Sequence, residues 1–415
     1  MRVLLVNKFL YPKGGDAICT LSTGRLLAEK GHQVSYWGMA HPDNPPYPHA
    51  NLFVDYVDLA DGGGAVRQIR AALNILYSRE AKRKFRRVID AERPDIVHLH
   101  NFAHQISPSI LDVLDEYAIP VVMTMHDYKL ACPAYTLLAD GKLCERCAGG
   151  RYYWCFLRKC THASRLKSVV NMFEMYLHHK ILRLYDKISL FISPSAFLKQ
   201  KVKEMGLSLK IVHVPNFVDL RGFQPRYDVP DRRLVYFGRL SPEKGLLTLL
   251  DAVKGLGVAL RIVGDGPLRA EAEHRVQAEG IGNVTFVGYK TGEALHAEIG
   301  LAMATVLPSE WYENNPLSIL ESFALGKPAI GARIGGIPEL VMDGETGYTF
   351  RPGSAQDLRA SIQRLMQDPR RAAEMGRAAR RLVERRNNPQ MYYERLMGCY
   401  RAAGACRGAL ARSIA

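Results

Sequence analysis

A chain of 415 residues is longer than one hydrophobic core usually organises, so two domains of roughly 200 residues each are expected. Its 47% hydrophobic and 23% charged residues suit a soluble globular protein, and no stretch reaches the roughly 18 uninterrupted apolar residues of a membrane span. Basic side chains outnumber acidic ones 56 to 41, and the resulting +15 points to an anionic partner such as nucleic acid, anionic lipid or a phosphorylated substrate.

The apolar run from Met1 is too short for a secretory signal and reads as an opening strand at 3–6, which makes the cytoplasm the expected compartment. Gly14 and Gly15 follow in a turn, and Leu21, Leu26, Leu27 and Ala28 carry a helix to Gly31. Strands are expected at 33–37, 96–100 and 121–125, the last running into His126-Asp127-Tyr128, with a proline-rich loop at 42–48. Between Arg67 and Arg87 eight basic residues meet only Glu80, while Val66, Ile69, Leu73, Leu76 and Tyr77 recur at helical spacing. A second stretch sets Val169, Phe173, Tyr176, Leu177, Ile181, Leu184 and Ile188 against Arg165, Lys167, Lys180, Arg183 and Lys187. Both read as basic amphipathic helices, either docking on an anionic bilayer such as the inner face of the plasma membrane or covering an ordinary core.

Five of the eight cysteines crowd into an insert at 132–160. Cys144-x2-Cys147 with Cys155-x4-Cys160 has the spacing of a four-thiolate structural zinc site, with buried reduced thiols and a redox disulfide as the other readings. A strand at 190–195, a helix at 196–205 and a strand at 211–216 close this half, and 219–232 reads as a linker. The pattern then restarts, with strands at 234–238, 260–263, 284–287, 304–307 and 329–331 and a late helix at 390–400 before an arginine-rich tail. Strands alternating with helices argue an α/β protein of two facing, Rossmann-like, doubly wound domains with ligands in a cleft at the carboxyl ends of their strands. The expected division is 1–219 for an acceptor-binding domain, 220–389 for a nucleotide-sugar-binding domain, and 390–415 for a helix crossing back to the first domain with its basic tail.

Segment 238–245, Gly-Arg-Leu-Ser-Pro-Glu-Lys-Gly, lies between a strand and a helix. It puts Arg239 and Lys244 beside a helix start, an arrangement suited to a diphosphate, though a turn with solvated cations would read the same way. In 309–321, Glu313 ends a loop and Glu321 lies eight positions on, early in a helix. Two carboxylates so placed can accept hydrogen bonds from two sets of sugar hydroxyls, while acidic groups near a helix start also satisfy its dipole.

These segments, with Val263-Gly264-Asp265-Gly266-Pro267 and the glycine-rich run 335–347, resemble the retaining glycosyltransferases of family 4 in nearly the whole second half. In the first half the likeness rests on Gly14-Gly15, His126-Asp127-Tyr128 and Pro215-Asn216-Phe217-Val218-Asp219. The resemblance implies the GT-B fold and retention of anomeric configuration. It implies that Arg239 and Lys244 hold the donor diphosphate, that Glu321 takes the ribose and that Glu313 takes the transferred sugar. Gly238, Val263, Gly264, Asp265, Gly266 and Val287 would line the nucleotide, Asn314, Asn315 and Leu317 would lie beside the sugar, and Gly14 and Gly15 would admit a phosphate or the acceptor. His126 would sit over the reacting sugar as a positioning group or a general base, although a polar residue ending a strand explains it equally. Asn314-Asn315-Pro316 departs from the glycine and apolar residue common after the first glutamate. No Asp-x-Asp triplet occurs, in keeping with a metal-independent reaction with no cofactor beyond a structural zinc.

A UDP- or GDP-linked donor and a lipid-linked or growing surface polysaccharide as acceptor follow as the expected substrates. Nucleic acid is not an expected partner. The rival is a basic RNA- or membrane-binding scaffold with an inert transferase fold. A nicotinamide enzyme is disfavoured because Gly-x-Gly-x-x-Gly follows neither first strand.

Overall fold

The computed structural model describes residues 1–56, 72–227 and 232–414. The chain forms two compact units, Met1–Val214 with Tyr393–Ala415, and Pro215–Tyr392.

In the first unit the strands are β1 (Arg2–Val6), β2 (Gln33–Trp37), β3 (Ile96–Leu99) and β4 (Val121–Thr124), then a small hairpin of β5 (Leu138–Ala139) and β6 (Lys142–Leu143), then β7 (Leu190–Ser193) and β8 (Ile211–His213). Six of them form a parallel sheet in the order β2-β1-β3-β4-β7-β8. Leu4, Leu5, Val6, Val97 and Val122 are wholly buried, because crossover helices cover both faces of the sheet. Several strands stop short of their apolar runs. β3 ends at Leu99 and β4 at Thr124, which leaves His100 and His126 just past the carboxyl edge. After β7, Ser195 turns out of the sheet and caps the helix Ala196–Glu204, its hydroxyl accepting from the Leu198 amide at 3.1 Å.

The second unit repeats the architecture with β9 (Arg233–Phe237), β10 (Ala259–Val263), β11 (Val284–Gly288), β12 (Ala304–Leu307), β13 (Ala329–Ala332) and β14 (Gly347–Phe350). All are parallel, in the order β11-β10-β9-β12-β13-β14. β14 escapes sequence reading because Gly-Tyr-Thr-Phe is too short to show a period. The core joins Leu234, Leu249, Leu260, Ile319 and Phe323 across sheet and helices. Strand order reverses between β1 and β3 in one unit and between β9 and β12 in the other. Such switch points are where open α/β sheets hold ligands.

The late helix runs Pro389–Ile414, well beyond 400, and from Tyr393 onward it belongs to the first unit. Of the first basic segment, Val66, Arg67, Ile69 and Arg70 lie outside the described residues. The expected continuous helix is broken at Tyr77 and Ser78, past Leu73 and Leu76, and the helix that follows, Arg79–Glu92, is capped by Ser78 and turns Ala81, Phe85, Val88 and Ile89 into the core. Lys82, Lys84 and Arg86 pair with Asp112, Asp55, Glu80 and Glu116, while Arg79, Arg83 and Arg87 on the same helix stand exposed. No helix among the described residues is long and apolar enough to cross a membrane.

Candidate functional site

The second unit gathers its candidate residues at the carboxyl edge of four adjoining strands. Gly238 and Arg239 follow β9, and Val263 to Gly266 end and follow β10. Val287 lies in β11, and Ser309 to Glu313 follow β12. Backbone bonds lace these loops together. The Gly238 amide donates to the Val263 carbonyl at 3.1 Å, Leu240 to Asp265 at 2.9 Å and Gly264 to Gly288 at 2.9 Å. Asp265 is engaged locally, accepting from the Gly266 amide at 2.7 Å and pairing with Arg269 at 3.3 Å. Arg239 projects from its loop with an exposed side chain.

A 3-10 turn, Pro242–Lys244, carries Lys244 to the β12 loop. The turn ends at Gly245, whose φ is +69° and whose missing Cβ would stand 1.9 Å from the Pro308 carbonyl oxygen, so only glycine lets the two loops close. Lys244 Nζ then donates to Glu313 Oε1 at 2.6 Å and lies 4.9 Å from the centre of the Trp311 ring. The Ser309 hydroxyl donates to the same carboxylate oxygen at 2.6 Å. Burial alone would push Glu313 upward, but the Lys244 charge with the Lys244 and Ser309 hydrogen bonds outweighs it and holds the carboxyl below its ordinary value. Gly335, with φ +60°, packs on the Glu313 backbone, where a Cβ would meet the carbonyl oxygen at 2.3 Å. The Gly336 amide donates to that oxygen at 2.7 Å.

Glu321 sits in the helix Leu317–Ala324, which starts directly after Pro316. It is half-buried, no hydrogen bond or ion pair meets its carboxylate among the described residues, and burial pushes it up to about 7. Leu317 opens the same helix, so its amide belongs to the unsatisfied first turn. Asn314 is half-buried beside Glu313. Asn315 has a different engagement. Its side-chain oxygen accepts from the Asn216 amide at 3.2 Å and its carbonyl from Asn216 Nδ2 at 2.8 Å, while Asn387 Nδ2 donates to the Asn216 carbonyl at 2.7 Å. The Pro316 departure thus accompanies a clamp between this loop and the Asn216 segment.

In the first unit Gly15 opens the helix Gly15–Glu29, with Gly14 in extended backbone at its start. A Cβ on Gly15 would meet nothing within 4 Å. His126 lies just past β4, and its Nε2 is 2.9 Å from His100 Nδ1 with the rings stacked at 5.1 Å. His100 stacks in turn on His98 at 4.3 Å. His98 closes the row, its Nε2 2.8 Å from Thr124 Oγ1 and its Nδ1 2.9 Å from the Tyr400 hydroxyl of the C-terminal helix. Burial lowers the pKa of all three rings, that of His98 to about 3, and Asp16 and Asp127 only partly offset it at His126. The row is therefore neutral at ordinary pH. Beneath it a small cavity is lined by His100, Met125, His126, Lys129 and Tyr185. Lys129 anchors the loop, its amide donating to Asp127 Oδ1 at 2.8 Å and its ammonium to buried Glu174 at 2.6 Å.

His98, His100, Asp16, Lys129, Glu174 and Tyr400 were not visible as site residues in the sequence. The alternating pair His98-x-His100 in a buried strand was the one available signal, since side chains two apart share a face.

All eight cysteines are free of disulfides, with Cys132, Cys147, Cys155 and Cys399 buried. The Cys160 thiol donates to Cys155 and draws the Cys155 pKa down, while burial keeps Cys132 and Cys147 high. Among the described residues no group of three or more His, Cys, Asp or Glu is placed to hold a metal ion.

Two Rossmann-type parallel sheets in one chain, with the second carrying a lysine–glutamate pair at its switch point, define a protein of the GT-B fold class. The chain belongs to Glycosyltransferase Family 4, whose model matches residues 13–221, and the model for glycosyl transferases group 1 matches 223–382. Among curated relatives, the α-D-kanosaminyltransferase of Streptomyces kanamyceticus is 31% identical over 186 residues, 43% of this chain and 48% of that protein. The chain spans about half the length of the curated relatives it matches. Two solved structures share the fold. Sucrose-phosphate synthase from Thermosynechococcus elongatus has a TM-score of 0.71 at 20% identity, covering 97% of this chain and 99% of that one. Anabaena HepE in complex with UDP and glucose has a TM-score of 0.65 at 17% identity, covering 96% and 99%.

Proposed function

We propose that this chain is a metal-independent, retaining glycosyltransferase that moves a sugar from a UDP- or GDP-linked donor to a lipid-linked or growing surface polysaccharide. The observation that carries the reading is Lys244 joined to Glu313 at the β9/β12 switch point, with the unpartnered Glu321 carboxyl on the helix that follows. In this reading Arg239 and Lys244 receive the charge that builds on the diphosphate as the glycosidic bond lengthens, together with the first-turn amides from Leu317. Glu321 accepts from the ribose and Glu313 from hydroxyls of the sugar, while Gly238, Val263 to Gly266 and Val287 lie under the base. The acceptor oxygen attacks on the face the diphosphate leaves, and its proton passes to the departing phosphate oxygen. His126, neutral and held by His100, positions the sugar and removes no proton.

The UDP-bound relative of the same fold supports a nucleotide donor. The basic surface of the first unit supports an anionic, membrane-borne acceptor at the inner face of the plasma membrane. A panel of nucleotide sugars tested by thermal shift, then for transfer from any that stabilises, checks the reading. Stabilisation by one donor with slow hydrolysis supports it, whereas no response to any donor together with salt-sensitive RNA retention supports the inert scaffold instead.

The zinc reading rests on the spacing of Cys144, Cys147, Cys155 and Cys160 alone. Metal analysis of protein purified under reducing conditions tests it, about one zinc per chain being the supporting result and none the overturning one.

A further inference from the structure

The helix Arg165–Tyr176, prolonged by a π turn at Leu177–Ile181, has its polarity reversed. Its buried face carries Ser168, Asn171, Glu174 and His178 with one apolar residue, Met175, and each polar side chain has a partner inside the protein. Ser168 Oγ accepts from the Thr161 amide at 3.0 Å, Asn171 donates to Thr161 Oγ1 at 3.0 Å, Glu174 accepts from Lys129, and His178 meets the Leu76 carbonyl at 2.6 Å. The outward face is apolar, with Leu166 64%, Phe173 58% and Ile181 70% exposed. An ordinary surface helix has these faces the other way round. The short helix Tyr153–Leu157 packs against it and adds Leu157, 56% exposed. Scattered exposed leucines need no explanation, but a stripe backed by a satisfied polar face does.

Charge says what covers it. Between Leu157 and Arg183 the only carboxylate is Glu174, and it is buried. Lys159, Arg165, Lys167 and Lys180 stand exposed around the stripe, and no ion pair meets them among the described residues. Arg158 and Arg183 flank them and reach carboxylates only outside that span or at its edge, Asp140 and Asp186. Apolar side chains rimmed by unpaired cations match the boundary between acyl chains and acidic headgroups. Basic side chains can also lay their stems along such a surface while their charges stay in water.

We propose that the face formed by Leu157, Leu166, Phe173 and Ile181, with Lys159, Arg165, Lys167 and Lys180 around it, docks on an anionic lipid bilayer. The apolar residues enter the acyl boundary and the cations meet the headgroups, with the buried Glu174 network holding the helix at the surface. This surface stands independently of the donor chemistry, since none of its residues belongs to the site in the second unit.

The test is co-sedimentation with vesicles of phosphatidylglycerol mixed with phosphatidylcholine, against phosphatidylcholine alone, at roughly 0.1 M salt. Wild-type protein is expected on the anionic vesicles, with Phe173→Ser/Ile181→Ser and Lys167→Glu/Lys180→Glu each weakening the partition about tenfold or more. Both variants replace exposed residues, so their melting temperature and their donor thermal shift serve as folding controls and are expected to match wild type. Vesicle binding unchanged in both variants, or no wild-type binding to anionic vesicles, overturns the proposal. So does a wild-type dimer that Phe173→Ser/Ile181→Ser converts to monomer, which would assign the face to a second copy of this chain. A normal donor shift with failed vesicle binding sinks the docking surface alone, and the converse sinks the transferase reading alone.

Discussion

The ammonium of Lys244 lies 2.6 Å from Oε1 of Glu313, a carboxylate only 6% exposed. The pair joins the loop after β9 to the loop after β12, and it does so before any donor arrives. In the proposed function each partner has two tasks, to satisfy the other and to meet substrate.

Lys244→Met is expected to strand the buried Glu313 charge, costing about 3 kcal/mol and lowering the melting temperature by several degrees. Glu313→Gln removes the charge itself and should melt closer to wild type, while transfer falls by about a hundredfold in both. The sign with pH follows from the direction of the Glu313 shift. A carboxyl held below its ordinary value contributes stability that is present above about pH 4.3 and lost as pH falls further. Calorimetry of the three proteins from neutral to acid pH checks this, and an equal fall in both variants would show that the pair is not a stability element.

Glu321 is the opposite case. Burial pushes its carboxyl up to about 7 with no cation to offset it. Such a group contributes stability below about pH 4.3 and loses it as pH rises through about 7, so Glu321→Gln should gain on wild type between those limits. Hydroxyl donors favour the ionised form, so nucleotide-sugar binding is expected to tighten about tenfold from pH 6 to pH 8 and to release a proton. Titration calorimetry in two buffers of different ionisation enthalpy reads both effects. A pH-independent affinity, or the same slope in Glu321→Gln, would remove Glu321 from the ribose.

Much of this was legible beforehand because it is local. Apolar runs closed by glycine turns revealed the strands, and the cations and carboxylates at 239, 244, 313 and 321 stood out through the resemblance of their segments to the family, type and spacing alone leaving them open. What could not be read depends on tertiary neighbours. The hold of Asn315 on Asn216 is one such case, joining residues 99 positions apart. The stripe at Phe173 and Ile181 has the same periodicity whether it faces core or solvent, and only the buried Glu174 on the other side decides. His98 reads as strand filler because its partner Tyr400 lies 302 residues away.

The row His98–His100–His126 yields a pH prediction. Burial lowers all three pKa values, so His126 stays neutral to a lower pH than a free histidine does. Turnover should therefore show no acid limb at or above about pH 6.5, while His126→Ala lowers kcat about tenfold or more with an equally flat profile there. Tyr400→Phe removes one hydrogen bond to His98 and should cost about 1 kcal/mol, with a smaller loss of kcat and KM nearly unchanged. A limb near pH 6.5 in wild type that vanishes in His126→Ala would make His126 a general base.

Glu174 links the loop that carries His126 to the reversed helix. Lys129 donates to it at 2.6 Å and His104 approaches at 3.1 Å, while the Lys129 amide fixes Asp127 beside His126. Burial would raise Glu174, but the His104 and Lys129 charges outweigh it and hold the carboxyl far below its ordinary range. Its contribution is thus present at neutral pH and lost only in acid. Glu174→Ala leaves the Lys129 ammonium buried without a counter-charge, and a loss of about 3–5 kcal/mol is expected. Lys129→Met/Glu174→Leu removes both charges and should recover most of that stability. If the pair also holds the His126 loop, the double variant regains its melting temperature but not its kcat. Recovery of both together would make the pair a packing element with no bearing on the site.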